Sequence, residues 1–122
     1  MSAPLLKTSI KSLQLIHQGK VRDIYAIDNA TMLLVSTDRL SAFDVILPTG
    51  IANKGAMLTQ MANFWFEKLQ HIVPNHLTGI APETVVSSPA DRAQLGSRAV
   101  VVKRLNALPI EAIVRGYLVG SG

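Results

Sequence analysis

The chain has no cysteine among its 122 residues, which excludes a disulfide framework and any thiolate metal site. Aromatic residues make up 5% and charged residues only 16%. No run approaches the ~20 consecutive apolar residues of a membrane-spanning helix. The segment from Met1 to Lys11 lacks the apolar core of a secretory signal. These absences lead to the expectation of a soluble, cytoplasmic protein without membrane partners. Repeats and low-complexity stretches are also missing, so one ordinary domain is expected.

Against that background, the hydrophobic fraction is high, at 48%. In so short a chain this implies either a large core or apolar surface meant to meet something else. The net charge is +4 and the pI about 9.8. Basic residues are scattered, and only Lys20/Arg22 and Lys103/Arg104 are close pairs. Nucleic-acid binding calls for a basic stripe or cluster. Small phosphorylated ligands suit the scattered pattern better, and no nucleic-acid partner is expected.

Residues 1–11 read as an N-terminal tail and 12–122 as one nucleotide-binding region. Strands are expected over 12–17, 21–27 and 31–36, with an Asp28-Asn29 turn closing a hairpin. Short strands follow at 45–47, 77–80 and 84–86, a firmer one at 97–105, and a last one at 109–117. Asn53 is a candidate cap for a helix over 54–70, limited by Pro74. Leu58, Met61, Ala62, Trp65 and Leu69 recur along it at helical spacing and read as core packing. The fold class is α+β: an antiparallel sheet with one long helix packed on a face.

Three segments carry candidate chemistry. In Gly19-Lys20-Val21-Arg22-Asp23-Ile24-Tyr25, glycine allows close backbone approach to a ligand and exposed amides bind phosphate oxygens. Lys20 and Arg22, two apart in a strand, would share a face. The bland alternative is a hairpin glycine flanked by solvated charges, and the pattern is neither a Walker nor a dinucleotide motif. In Ser36-Thr37-Asp38-Arg39-Leu40-Ser41-Ala42-Phe43-Asp44, hydroxyls, two carboxylates and an arginine lie on one loop after an apolar strand, a common place for binding groups. A polar surface turn is the alternative. In Pro109–Ser121, Glu111 and Arg115 share a strand face and Gly120-Ser121-Gly122 supplies amides and a hydroxyl. Arginine suits carboxylate or phosphate because its planar fork binds bidentately. An edge strand with solvated charges is the alternative. His17, His71 and His76 show no metal spacing.

Taken together and in this order, these segments resemble the SAICAR synthetase family. So do Phe43–Pro48, Lys54-Gly55, Leu58-Thr59-Gln60 and Asn63-Phe64-Trp65-Phe66, and the likeness covers about residues 12 to 122. The resemblance implies the amino-terminal lobe of an ATP- and magnesium-dependent ligase of purine biosynthesis. Such an enzyme joins L-aspartate to the carboxylate of the aminoimidazole ribotide CAIR through an acyl phosphate. It places Gly19, Lys20 and Arg22 over the ATP phosphates, with Ile24 and the Lys103–Leu105 stretch beside the adenine. Ser41, Asp44, Arg115 and Ser121 would contact CAIR. Asp38, Arg39 and Glu111 receive no firm role, and no catalytic residue is assigned.

Family chains are more than twice this length. The resemblance therefore implies that magnesium ligands and the second wall of the ATP cleft lie outside these 122 residues, and that the chain alone is inactive. The eight acids suggest no metal pair. The rival readings are a kinase-like ATP-binding lobe and a non-enzymatic β-rich binding module.

Overall fold

The computed structural model describes residues 3–120. Four strands form an antiparallel sheet: β1 (Gln14–Gln18), β2 (Arg22–Ala26), β3 (Thr31–Ser36) and β6 (Ala99–Lys103), in the order β1-β2-β3-β6. β4 (Ser41–Ala42) and β5 (Val45–Ile46) form a separate two-stranded hairpin. The helices are α1 (Lys54–Leu69) and the short α2 (Pro89–Ala93). The α+β class and the long helix thus match the sequence pattern. No helix among the described residues is long and apolar enough to cross a membrane.

The sheet forms because β3 and β6 are continuous β-prone apolar runs, at 32–35 and 99–102, that pair with each other and, for β3, with β2, and send successive side chains to opposite faces. Tyr25, Leu33, Val35, Ala99 and Val101 point to one face and make the buried core with Ile10, Val86 and Leu95. Asp28 closes the β2–β3 turn, its Oδ1 accepting from the Ala30 and Thr31 amides at 2.7 Å each.

The amino-terminal residues are part of this packing rather than a free tail. Thr8 and Ile10 are buried, and the Leu5 amide donates to Asp38 Oδ2 at 2.8 Å. Thr8 donates to Asp23 from both its amide and its hydroxyl. The sequence conceals this because the anchoring groups are backbone amides and one threonine, not an apolar pattern.

Helix α1 approaches the sheet through its first turns. A Cβ on Gly55 would lie 2.1 Å from the Ser36 carbonyl oxygen, so only glycine admits this contact. Asn53 holds the N-cap position at φ 66° but its side chain makes no capping bond. Asp38 supplies the missing acceptor, its Oδ1 taking the Gly55 amide at 2.9 Å. The expected core stripe is corrected here. Gly55 and Thr59 are the buried helical residues, while Leu58, Met61, Trp65 and Leu69 are exposed, Met61 by 59%. The close glycine contact selects which helix face meets the sheet, and the apolar stripe stays exposed, Leu58 and Ala62 along an open cavity beside the sheet.

Three expected strands are absent. Leu77 makes only an isolated bridge to Val102, and the stretch near 84–86 follows a 3-10 turn at Pro82–Thr84. Residues 109–117 carry no regular structure and are exposed. Their β-prone sequence has no neighbouring strand to complete a ladder, and an unpaired strand is not stable.

Candidate functional site

The site is built on the turn between β1 and β2. β2 begins at Arg22, so Lys20 lies in the turn and strand alternation does not place it beside Arg22. Its position comes from hydrogen bonds. Gly19 N donates to Arg22 O at 2.7 Å, and the Thr37 amide donates to Val21 O at 2.9 Å. The buried Arg39 donates to Gly19 O at 2.8 Å and to Lys20 O at 3.1 Å. A groove of about 670 Å³ runs along this turn, lined by residues 17–22 and Ile24. Four predicted site residues, Gly19, Lys20, Arg22 and Ile24, therefore share one surface.

A fifth joins them. Lys20 Nζ makes an ion pair with Asp44 Oδ1. Asp44 occupies the two-residue turn between β4 and β5, where Phe43 and Asp44 have φ of 50° and 64°. Two consecutive positive φ values match a type I′ hairpin turn, which asparagine, aspartate and glycine favour and phenylalanine does not. Strain of that kind concentrates at functional sites. The Lys20 hydrogen bond and charge lower the Asp44 pKa below the ordinary carboxylate value. Ser41 precedes the same turn, paired with Ile46.

Arg22 also lines a second cavity of about 350 Å³ between the sheet and α1, with Ser36, Lys54, Phe66 and His76 among its walls. Burial lowers the His76 pKa, and the Arg22 charge lowers it further. The imidazole is therefore biased toward its neutral form beside two cations. Sequence reasoning did not single out Lys54 and His76 as partners of Arg22. They meet only through the packing of α1 and the 70–76 segment, which no local spacing reveals.

Beneath the site lie two interior ion pairs. Asp23 Oδ1 accepts from Arg39 Nη2 at 2.9 Å, and Asp38 Oδ1 from Arg98 Nη1 at 2.8 Å. Burial opposes ionisation of Asp38, but bonds from Arg98, Gly55 and Leu5 outweigh it and hold the pKa at about 2. Burial likewise opposes ionisation of Asp23, and Thr8 with Arg39 brings its pKa below the usual value.

The other predicted residues lie further away. Lys103 ends β6 opposite Thr31, whereas Arg22 pairs with Ser36. The two therefore sit at opposite ends of β3 and on opposite sides of it, offset by roughly 17 Å along the strand at ~3.4 Å per residue, with Ile24 partway between them along β2. Leu105 is exposed just beyond β6. Arg115 donates to the Val119 carbonyl at 3.0 Å within the irregular 104–120 segment. Ser121 lies outside the described residues.

Among the described residues, no group of three His, Asp or Glu side chains is placed to hold a metal ion. Asp23 and Asp38 are committed to buried arginines, and Asp44 is a single exposed carboxylate beside Lys20. The carboxylates near the site do not fit magnesium, and no step is assigned to the metal.

Comparison with known proteins gives a consistent picture. The family model described as SAICAR synthetase matches residues 15–122. A phosphoribosylaminoimidazole-succinocarboxamide synthase of Methylobacillus flagellatus is 75% identical over the whole chain, which covers 41% of that relative. The corresponding protein of Dechloromonas aromatica is 65% identical, with 39% of its length covered. Among solved structures, a SAICAR synthase from Saccharomyces cerevisiae complexed with SAICAR superposes with a TM-score of 0.88 at 43% identity. That match covers 96% of this chain and 42% of the yeast one. A type-2 SAICAR synthetase in complex with ADP shares the fold at a TM-score of 0.60 and 22% identity. The chain thus spans about two fifths of the length of these relatives, and it belongs to the SAICAR synthetase family.

Proposed function

We propose that this chain forms the ATP-phosphate wall and part of the acceptor wall of a ligase that joins L-aspartate to CAIR. The observation that carries the reading is the ion pair between Lys20 and Asp44. It brings the residue assigned to ATP against a residue assigned to CAIR.

The chemistry asks for that proximity. A carboxylate is a poor electrophile. Transfer of the ATP γ-phosphoryl group to a CAIR carboxylate oxygen releases ADP and gives an acyl phosphate. The aspartate amine then attacks the acyl carbon, forms the C–N bond, loses a proton and expels inorganic phosphate. Three anionic substrates must be held together, so fixed cations and aligned donors do most of the work.

In this reading Gly19, Lys20 and Arg22 hold the triphosphate. Ile24 supports the nucleotide midway along the sheet, and the Lys103–Leu105 stretch borders the adenine at the far end, a separation an extended nucleotide can bridge. Ser41 and Asp44 face CAIR, with Arg115 and Ser121 as further contacts. The SAICAR-complexed yeast structure and the ADP-complexed type-2 structure support ligands of these classes. Magnesium would neutralise phosphate charge from ligands supplied outside these residues.

The test is to assay ATP, CAIR, aspartate and magnesium with this chain and with a completed protein. The latter carries the chain followed by the remaining part of the Methylobacillus flagellatus relative. SAICAR formation by the completed protein and not by the 122 residues alone is expected. A folded completed protein that makes no SAICAR would refute the assignment.

A further inference from the structure

We infer that Arg39 is a positioning residue for the ATP-phosphate turn: its buried guanidinium fixes two successive peptide units so that the amides of Lys20 and Val21 face the ligand. The inference rests on the proposed phosphate role of the Gly19 turn and assigns that role a cause.

Arg39 uses four of its N–H groups on this part of the molecule. Nη2 donates to Gly19 O at 2.8 Å and to Asp23 Oδ1 at 2.9 Å. Nε donates to Lys20 O at 3.1 Å, and Nη1 to Leu6 O at 2.8 Å. Arginine has no acceptor and five donors in a rigid fork. It therefore binds carbonyl oxygens in one fixed arrangement, and the carbonyls of residues 19 and 20 must both turn toward it.

The consequence follows from peptide geometry. Every described peptide bond is trans, and in a trans peptide the N–H points opposite to the C=O. The Gly19 carbonyl shares its peptide with the Lys20 amide, and the Lys20 carbonyl with the Val21 amide. Both amides thus point away from Arg39. Neither donates to another described residue, and the groove lined by residues 17–22 runs along the same turn. Two adjacent outward amides beside the Lys20 ammonium make an anion-binding concavity. Asp23 balances the buried charge, and Thr8 holds Asp23 in place through its amide and hydroxyl at 3.0 and 2.7 Å.

The role predicts a specific kinetic signature in the completed protein. Arg39→Lys keeps the charge opposite Asp23 but loses the fork. Asp23→Asn/Arg39→Met removes charge and donors together, avoiding an uncompensated buried carboxylate. With turn amides misaligned, KM for ATP should rise about tenfold or more, while KM for aspartate stays within about twofold. A role in stability alone would lower the active fraction, reducing apparent kcat and leaving every KM unchanged. Folding of each variant is checked by circular dichroism.

A folded variant whose ATP KM is unchanged, or in which all KM values rise together, overturns the inference. Failure of both variants to fold also overturns it, since the residue would then be purely structural. Lys20→Ala is measured in parallel. If it leaves ATP KM unchanged, the phosphate reading of the turn itself has failed, and this inference falls with it. If Lys20→Ala raises ATP KM and the Arg39 variants do not, only the positioning role is lost.

Discussion

Two sets of opposite charges sit within a few residues of each other and behave differently. Asp23–Arg39 and Asp38–Arg98 are buried inside the fold, and further bonds to backbone and hydroxyl groups hold their carboxylates and guanidiniums. Lys20–Asp44 lies in solvent, with side chains 57% and 85% exposed. The interior pairs fix where the amino-terminal segment, the Gly19 turn and the start of α1 go. The exterior pair costs little to separate, because water and salt replace it. In the proposed function, its members exchange one another for a phosphate and a ligand's polar groups. The interior charges hold backbone in place, whereas the surface pair holds no backbone and separates readily.

The sharpest way to break this contrast is Arg98→Ala. It strands the buried Asp38 carboxylate, and unfolding in urea should show a loss of about 3–5 kcal/mol. A loss below about 1 kcal/mol would mean that the interior pair resembles the surface one. Gly55→Ala comes next. Its new methyl meets the Ser36 carbonyl, and α1 must shift at a cost of about 1–3 kcal/mol, read from the same denaturation curves.

A pH titration of stability sharpens the comparison further. The folded pKa of Asp38 is depressed to about 2 from 3.8, so its contribution is complete above 3.8. That contribution is lost as pH falls from 3.8 toward 2, and Asp23 acts in the same direction. Unfolding free energy that stays flat across this window would contradict the account. The smallest effect belongs to the surface. Lys20→Ala should leave the unfolding midpoint unmoved, and a clear drop would show that this pair too is structural.

Much of the framework was legible in the sequence. The apolar runs at 21–27, 31–36 and 97–105, with the Asp28-Asn29 turn, point to the strands of the sheet, and the Gly19, Lys20 and Asp44 motifs come together in space. α2 carries a local sequence signal: Ser88 caps it, accepting from the Asp91 amide at 3.0 Å, with Pro89 at the first helical position. The exposed stripe on α1 was not legible. Helical spacing shows that apolar residues share a face but not which face meets the sheet, and here the Gly55–Ser36 contact decides. The 109–117 run failed for a related reason, since strand propensity is realised only beside a partner strand. Nor does sequence distinguish the buried charges from the exposed ones, because Asp23, Asp38 and Asp44 look alike until the tertiary contacts exist.

The most direct measurement of the central claim is a titration of ATP into isotopically labelled completed protein, following backbone amide resonances by NMR. The Lys20 and Val21 amides should shift together and saturate with a single affinity. ATP that binds while these two resonances stay in place would contradict the proposed phosphate site.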